Sequence, residues 1–199
     1  MAKRKKAKPQ SQTVKLDNWS FRLSQLFTID RIFIGGAILA AVAILAYFAL
    51  KPDSSPPGVD PNIPDNSVAY DIQSRDHIEN GASHPAYNSN PPTSGWHYAS
   101  PADWGIYTQV IPDETAIHNL EHGGVWISYN NEVDDATIKQ LDDIAGQYPT
   151  HVILTPRPDD DSPIAVAAWG RLLKLDTVDS GQINNFIARY RFQGPEDVP

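Results

Sequence analysis

The clearest apolar patterns lie in the C-terminal half of the chain. At 125–129, Val125, Ile127 and Tyr129 alternate with Trp126 and Ser128, the period-two pattern of a strand, and Asn130-Asn131 ends the run. From 134 to 148, Ile138, Leu141, Ile144, Ala145 and Tyr148 fall on one helical face, and Pro149 stops the helix. Two short apolar runs, 152–155 and 164–169, flank the stretch PRPDDDSP and predict two strands joined by an exposed acidic loop. Asp179 or Ser180 then caps a helix in which Ile183, Phe186, Ile187 and Tyr190 recur at i, i+3, i+4 and i+7. The order strand-helix-strand-strand-helix predicts an α+β domain with helices on one face of a mixed sheet. Thioredoxin-like and ferredoxin-like layouts both contain that order.

A different pattern occupies the N-terminal part. Residues 32–50 read IFIGGAILAAVAILAYFAL without one charge, and at 1.5 Å per helical residue they reach about 28 Å, the hydrocarbon thickness of a bilayer. The run is longer than the apolar core of a signal peptide and follows a 31-residue leader, so a retained transmembrane helix is expected rather than a cleaved signal. Residues 51–67 hold Pro52, Pro56, Pro57, Pro61 and Pro64, which block helix and predict a stiff linker. Residues 68–199 then form a single domain, a length suited to one core.

Charge supplies the orientation. Of the 16 Lys and Arg residues, eight fall in residues 1–31 against only Asp17 and Asp30, a net charge of +6. Residues 51–199 carry the other eight against 22 acidic residues, a net charge of −14. This asymmetry predicts a basic cytoplasmic leader at 1–31, a single-pass span at 32–50 and an acidic extracytoplasmic domain. The expected location is therefore the cell membrane, with the lipid bilayer as one partner and the leader drawn to anionic headgroups. The acidic domain lacks the basic stripe that phosphate neutralisation requires, so nucleic acid is not an expected partner. The chain has no Cys, which excludes disulfides, thiolate metal sites, a cysteine nucleophile and thioredoxin-like redox chemistry.

Five of the six histidines, His77, His84, His97, His118 and His122, lie between residues 76 and 124. In HPAYNSNPPTSGWHY, Pro85, Pro91 and Pro92 prevent regular structure, so His84 and His97 stand at the ends of a rigid loop. In PDETAIHNLEHGG, Pro112 suits the first helical position, Asp113 and Glu114 suit the positive end, and Gly123-Gly124 suit a left-handed stop. On that helix His118 and His122 lie one turn apart on one face and can share an ion, whereas on a strand they would stand about 13 Å apart. A transition-metal site is therefore expected from His84, His97, His118 and His122, with Glu121 as a further ligand or supporting group. Imidazoles without sulfur point to Cu(II) or Zn(II). His118-Asn-Leu-Glu121-His122 also fits H-x-x-E-H, which offers a hydrolytic alternative with Glu121 as the base. A metal-free envelope interaction module, in which the histidines do not converge, is the third reading.

NPPTSGWHY (90–98), WGIY (104–107), IHNLEHGGVWISY (117–129), AAWGR (167–171) and YRFQGPE (190–196) together resemble the bacterial family known as Domain of Unknown Function 3105. The resemblance implies an envelope-exposed domain behind one membrane segment and implies no activity. By similarity it directs attention to His84, His97, His118, Glu121, His122, Gly123 and Gly124.

Overall fold

In a computed structural model of the 199-residue chain, the structure describes residues 34, 36–47, 50 and 57–196. The chain divides into two compact units, Met1–Asp53 and Ser54–Pro199. In the first, residues 36–47 are helical, and Ile38, Leu39, Val42, Ile44 and Leu45 are exposed. Among the described residues no helix is long and apolar enough to cross a membrane. The span expected at 32–50 includes positions outside the described residues.

The second unit is built on a six-stranded mixed sheet. Its strands are β1 (Val68–Ala69), β4 (Gly105–Ile106), β5 (Val125–Tyr129), β6 (Val152–Pro156), β7 (Ile164–Ala168) and β8 (Arg171–Leu175), in the order β1-β8-β7-β5-β6-β4. Strands β4, β5 and β6 run parallel, while β5-β7, β7-β8 and β8-β1 pair antiparallel. A separate parallel pair joins β2 (His77–Ile78) to β3 (His97–Tyr98). Three helices complete the unit: α1 (Asp113–Glu121), α2 (Asp135–Ala145) and α3 (Ser180–Tyr190).

The elements expected at 125–129, 134–148, 152–155, 164–169 and from 179 onward are all present, with Asp134 and Asp179 capping α2 and α3 through their carboxylates, although α2 ends at Ala145 with Gly146 as its C-cap, ahead of the expected stop at Pro149. Two further features differ from the expectation. Strand β8 follows β7 directly, turning at Trp169-Gly170 with Gly170 at φ +70°, and thus adds a strand to the predicted order. A two-residue hairpin of this kind leaves little polar sequence to announce it.

The helices also lie on both faces of the sheet rather than one. Val125, Ile127, Val152, Leu154, Ile164 and Val166 pack with Leu141, Ile144, Ile183 and Ile187 of α2 and α3. On the opposite face Trp126, Ile153, Ala165, Ala167 and Leu172 pack with Ala116 and Leu120 of α1. Burial on both faces explains why 164–168 is apolar at every position and why periodicity did not assign it a solvent side.

Helix α1 is fixed by polar contacts at both ends. At its start Arg157, nearly buried, donates from Nε and Nη2 to the two Asp113 carboxylate oxygens, each at 2.8 Å, and from Nη1 to Asp160 at 2.6 Å. Asp160 is also buried and accepts from Ser128 Oγ at 2.6 Å, so no charge in this clamp is left alone. Toward its end the buried Asn119 side chain accepts from Ala102 N at 2.9 Å and donates to Ala102 O at 2.8 Å. The second half of the Pro-rich stretch lies against α3: Asp60 N donates to Asn185 Oδ1 at 2.8 Å, and Ile63 O accepts from Asn185 Nδ2 at 3.0 Å.

Candidate metal centre

Helix α1 ends at Glu121, and His122 is its C-cap, with a backbone N–H that donates to His118 O at 3.1 Å. The helical condition for His118 and His122 to share a face is therefore met. Their Nε2 atoms stand 2.9 Å apart, and the ring centroids 4.4 Å apart. Gly123 at φ +76° supplies the left-handed stop, and Gly124 sits so close to Asn119 O and the Trp104 ring that a Cβ there would come within 2.6 Å of each.

Over this helix end lies the short β2-β3 pair, whose register places His77 beside His97. The His77 ring stacks on His118 with centroids 4.9 Å apart and meets His97 edge-on at 4.8 Å. The His97 and His118 centroids are 5.2 Å apart, so the histidines converge. His77, His97 and His118 each bring a ligand atom within 4.8 Å of the other two.

Backbone carbonyls set the orientation of two of these rings. His97 Nδ1–H donates to Gly95 O at 2.7 Å, and His118 Nδ1–H donates to Tyr98 O at 2.6 Å. Each bond fixes the tautomer and turns Nε2 into the cluster, an arrangement that metal-binding imidazoles commonly use. His97 Nε2 lies 2.9 Å from Glu121 Oε2, and His77 Nε2 lies 3.5 Å from the same oxygen. Since Nδ1 of His97 already carries a proton, its Nε2 meets the carboxylate either through a second proton or through a cation shared between them.

Glu121 is 1 % exposed and accepts from Arg75 Nε at 2.9 Å through its other oxygen. Burial alone would raise its carboxyl pKa, but the Arg75 hydrogen bond and the His97 ring hold it below the usual 4.5. Burial lowers the His118 pKa below 6.5; the Tyr98 carbonyl works against this, and His122, His97 and His77 add to it by charge. His118 is therefore neutral at pH 7, with a lone pair on Nε2 available to a ligand.

Of the four expected metal ligands, His97, His118 and His122 come together. His84 instead lies against Glu114, with its Nε2 3.3 Å from Oε1, and packs beside Tyr87 and Trp96; it is not among the three converging residues. The member that sequence reasoning left out is His77. It belongs to the same histidine-rich stretch, but no local spacing ties it to His97, and only the β2-β3 register brings the two together.

The C-terminal segment closes the rim. Phe192 N donates to Gly123 O at 2.7 Å and Glu196 N to Glu121 O at 3.1 Å. Glu196 then reaches Arg75 Nη2 at 3.3 Å and His122 Nε2 at 3.5 Å.

These features define a small α+β domain with a histidine-carboxylate cluster between a helix end and a loop-borne strand pair, buried at His97, His118 and Glu121 and open to solvent at His77. Residues 77–198 match the family described as Protein of unknown function (DUF3105), and the chain belongs to that family. No curated protein and no solved structure matches the chain.

The two pKa shifts predict a pH dependence of stability. An imidazole whose folded pKa lies below its unfolded value contributes fully above about pH 6.5 and loses that contribution as pH falls through the folded value. Glu121, with a lowered carboxyl pKa, contributes above about 4.5 and loses its contribution below that. Urea midpoints of the chelator-treated protein are therefore expected to fall between pH 7.5 and 5.5, then again below pH 4.5. His118→Gln is expected to reduce the first drop, and a midpoint constant from pH 7.5 to 5.5 would contradict the assignment.

Proposed function

We propose that this chain is a membrane-anchored, extracytoplasmic metal-binding protein whose external domain holds Zn(II) or Cu(II) through His77, His97 and His118. The observation that carries the reading is the convergence of three imidazoles, two with Nδ1 tied to backbone carbonyls and Nε2 turned inward. Nitrogen and carboxylate donors without sulfur suit these borderline ions. Glu121 supports the site by holding His97 and offsetting the charge of the ion. Storage, delivery or sensing of the metal fits this arrangement better than hydrolysis. A general base needs an oxygen facing the reacting water, and both Glu121 oxygens are engaged, by Arg75 and by His97. A metal-free interaction module is the weaker reading, because it has no use for four ring nitrogens and a buried carboxylate in one place.

Membrane anchoring rests on the uncharged run 32–50, the exposed apolar side chains of helical residues 36–47, and the concentration of Lys and Arg ahead of them. The reading predicts that protease added outside intact bacteria removes residues beyond the span and leaves the basic leader protected. Protection of the whole chain would contradict the orientation.

Metal binding is tested with the full chain, purified in detergent without a histidine tag, stripped with chelator and titrated with zinc or copper. His97→Ala and His118→Ala are expected to weaken binding by at least about 100-fold, since each removes a ligand and outer-shell changes alone cost 10–100-fold. His84→Ala is expected to bind as the wild type does. Equal binding by all three variants would contradict the site.

A further inference from the structure

Resting on the metal-binding reading above, we propose that the centre holds two ions rather than one, with the second ion held by His118, His122 and Glu196. The cluster contains four imidazoles and two carboxylates: His77, His97, His118, His122, Glu121 and Glu196. That is more than the four positions of a tetrahedral ion. Two of the short separations meet at Glu121 and two at His122. His97 Nε2 and His77 Nε2 lie 2.9 and 3.5 Å from Glu121 Oε2. His122 Nε2 lies 2.9 Å from His118 Nε2 and 3.5 Å from Glu196 Oε2. With metal–nitrogen distances near 2.0–2.1 Å, neighbouring donors around a tetrahedral ion stand about 3.3 Å apart, and these four separations lie within about 0.4 Å of that value. A lone ion draws on His77, His97 and His118. When a second enters, His118 passes to it and Glu121 completes the first.

Glu196 is brought to this position by an unusually close backbone approach. A Cβ on Gly194 would lie 2.2 Å from both Glu121 O and Gly123 N, so only glycine lets the tail run this near the helix end. Phe192 holds φ +67°, a conformation that bulky residues rarely adopt, while its N–H donates to Gly123 O. The tail thus delivers a carboxylate to His122, whose ring lies against His118. Arg75, about half exposed, bridges Glu121 and Glu196 at 2.9 and 3.3 Å and supplies the positive charge that ions would otherwise bring. Its long side chain can swing to solvent when ions enter.

The test is native mass spectrometry with elemental analysis of the full chain in detergent micelles, without a histidine tag, stripped and then dialysed against zinc. Two zinc ions are expected in the wild type and one in both Glu196→Gln and His122→Ala, with circular dichroism of each variant matching wild type. A wild type that saturates at one ion overturns the second position and leaves the first reading standing. Two ions retained in both variants, or none bound by either, would also overturn the assignment of His122 and Glu196 to a separate ion. A wild type that binds no metal overturns both readings.

Discussion

The Glu121 carboxylate is the constraint on which the architecture around the centre depends. An ionised carboxylate removed from water costs several kcal/mol unless charge and hydrogen bonds replace its hydration, and Glu121 is 1 % exposed. Its partners come from segments distant in sequence: Arg75 and His77 from one side of the β2-β3 pair, His97 from the other. Satisfying this one group therefore pulls the 75–98 segment over the end of α1. The helix end itself is held by Asn119 locked to Ala102, and the helix start by Arg157 on Asp113. The site and the α1 face of the sheet are for this reason one mechanical unit.

The core was largely legible in the sequence because its elements repeat a period over enough residues. Ile138, Leu141, Ile144 and Ala145 announce α2, and Ile183, Phe186 and Ile187 announce α3. Helix α1 was legible from its end signals, Pro112 and Gly123, rather than from apolar periodicity. What periodicity could not supply was sidedness. Strand β7 is buried at all five positions, so nothing in its pattern shows that a helix covers each face.

The site was legible in part. His118 and His122 are linked by helical geometry and could be paired from spacing alone. His97 was a candidate from its place in a Pro-constrained loop. His77 and His84 bracket the limits of that reasoning, since each precedes a long irregular stretch whose path no local rule fixes. The path is set by tertiary contacts: Gly95 N to Ser74 O and His97 N to Asp76 O bring His77 inward, while Glu114 and Trp96 hold His84. Glu196 lies in a Pro-containing tail with no periodic pattern to place it, yet Gly194 and Gly123 seat that tail directly against Glu121.

Chemically, the centre is a set of proton and guanidinium contacts arranged where metal bonds would form: imidazole nitrogens oriented from behind, carboxylates held by Arg75, and no sulfur to favour a cuprous ion. The central claim is that His77, His97 and His118 converge on a bound ion. X-ray absorption fine structure of the full chain loaded with a single equivalent of zinc, where His118 still belongs to this ion, tests it most directly. The account predicts a first shell of nitrogen and oxygen at about 2.0–2.1 Å with the multiple-scattering signature of at least three imidazoles. A first shell of oxygen alone, without imidazole scattering, would contradict it.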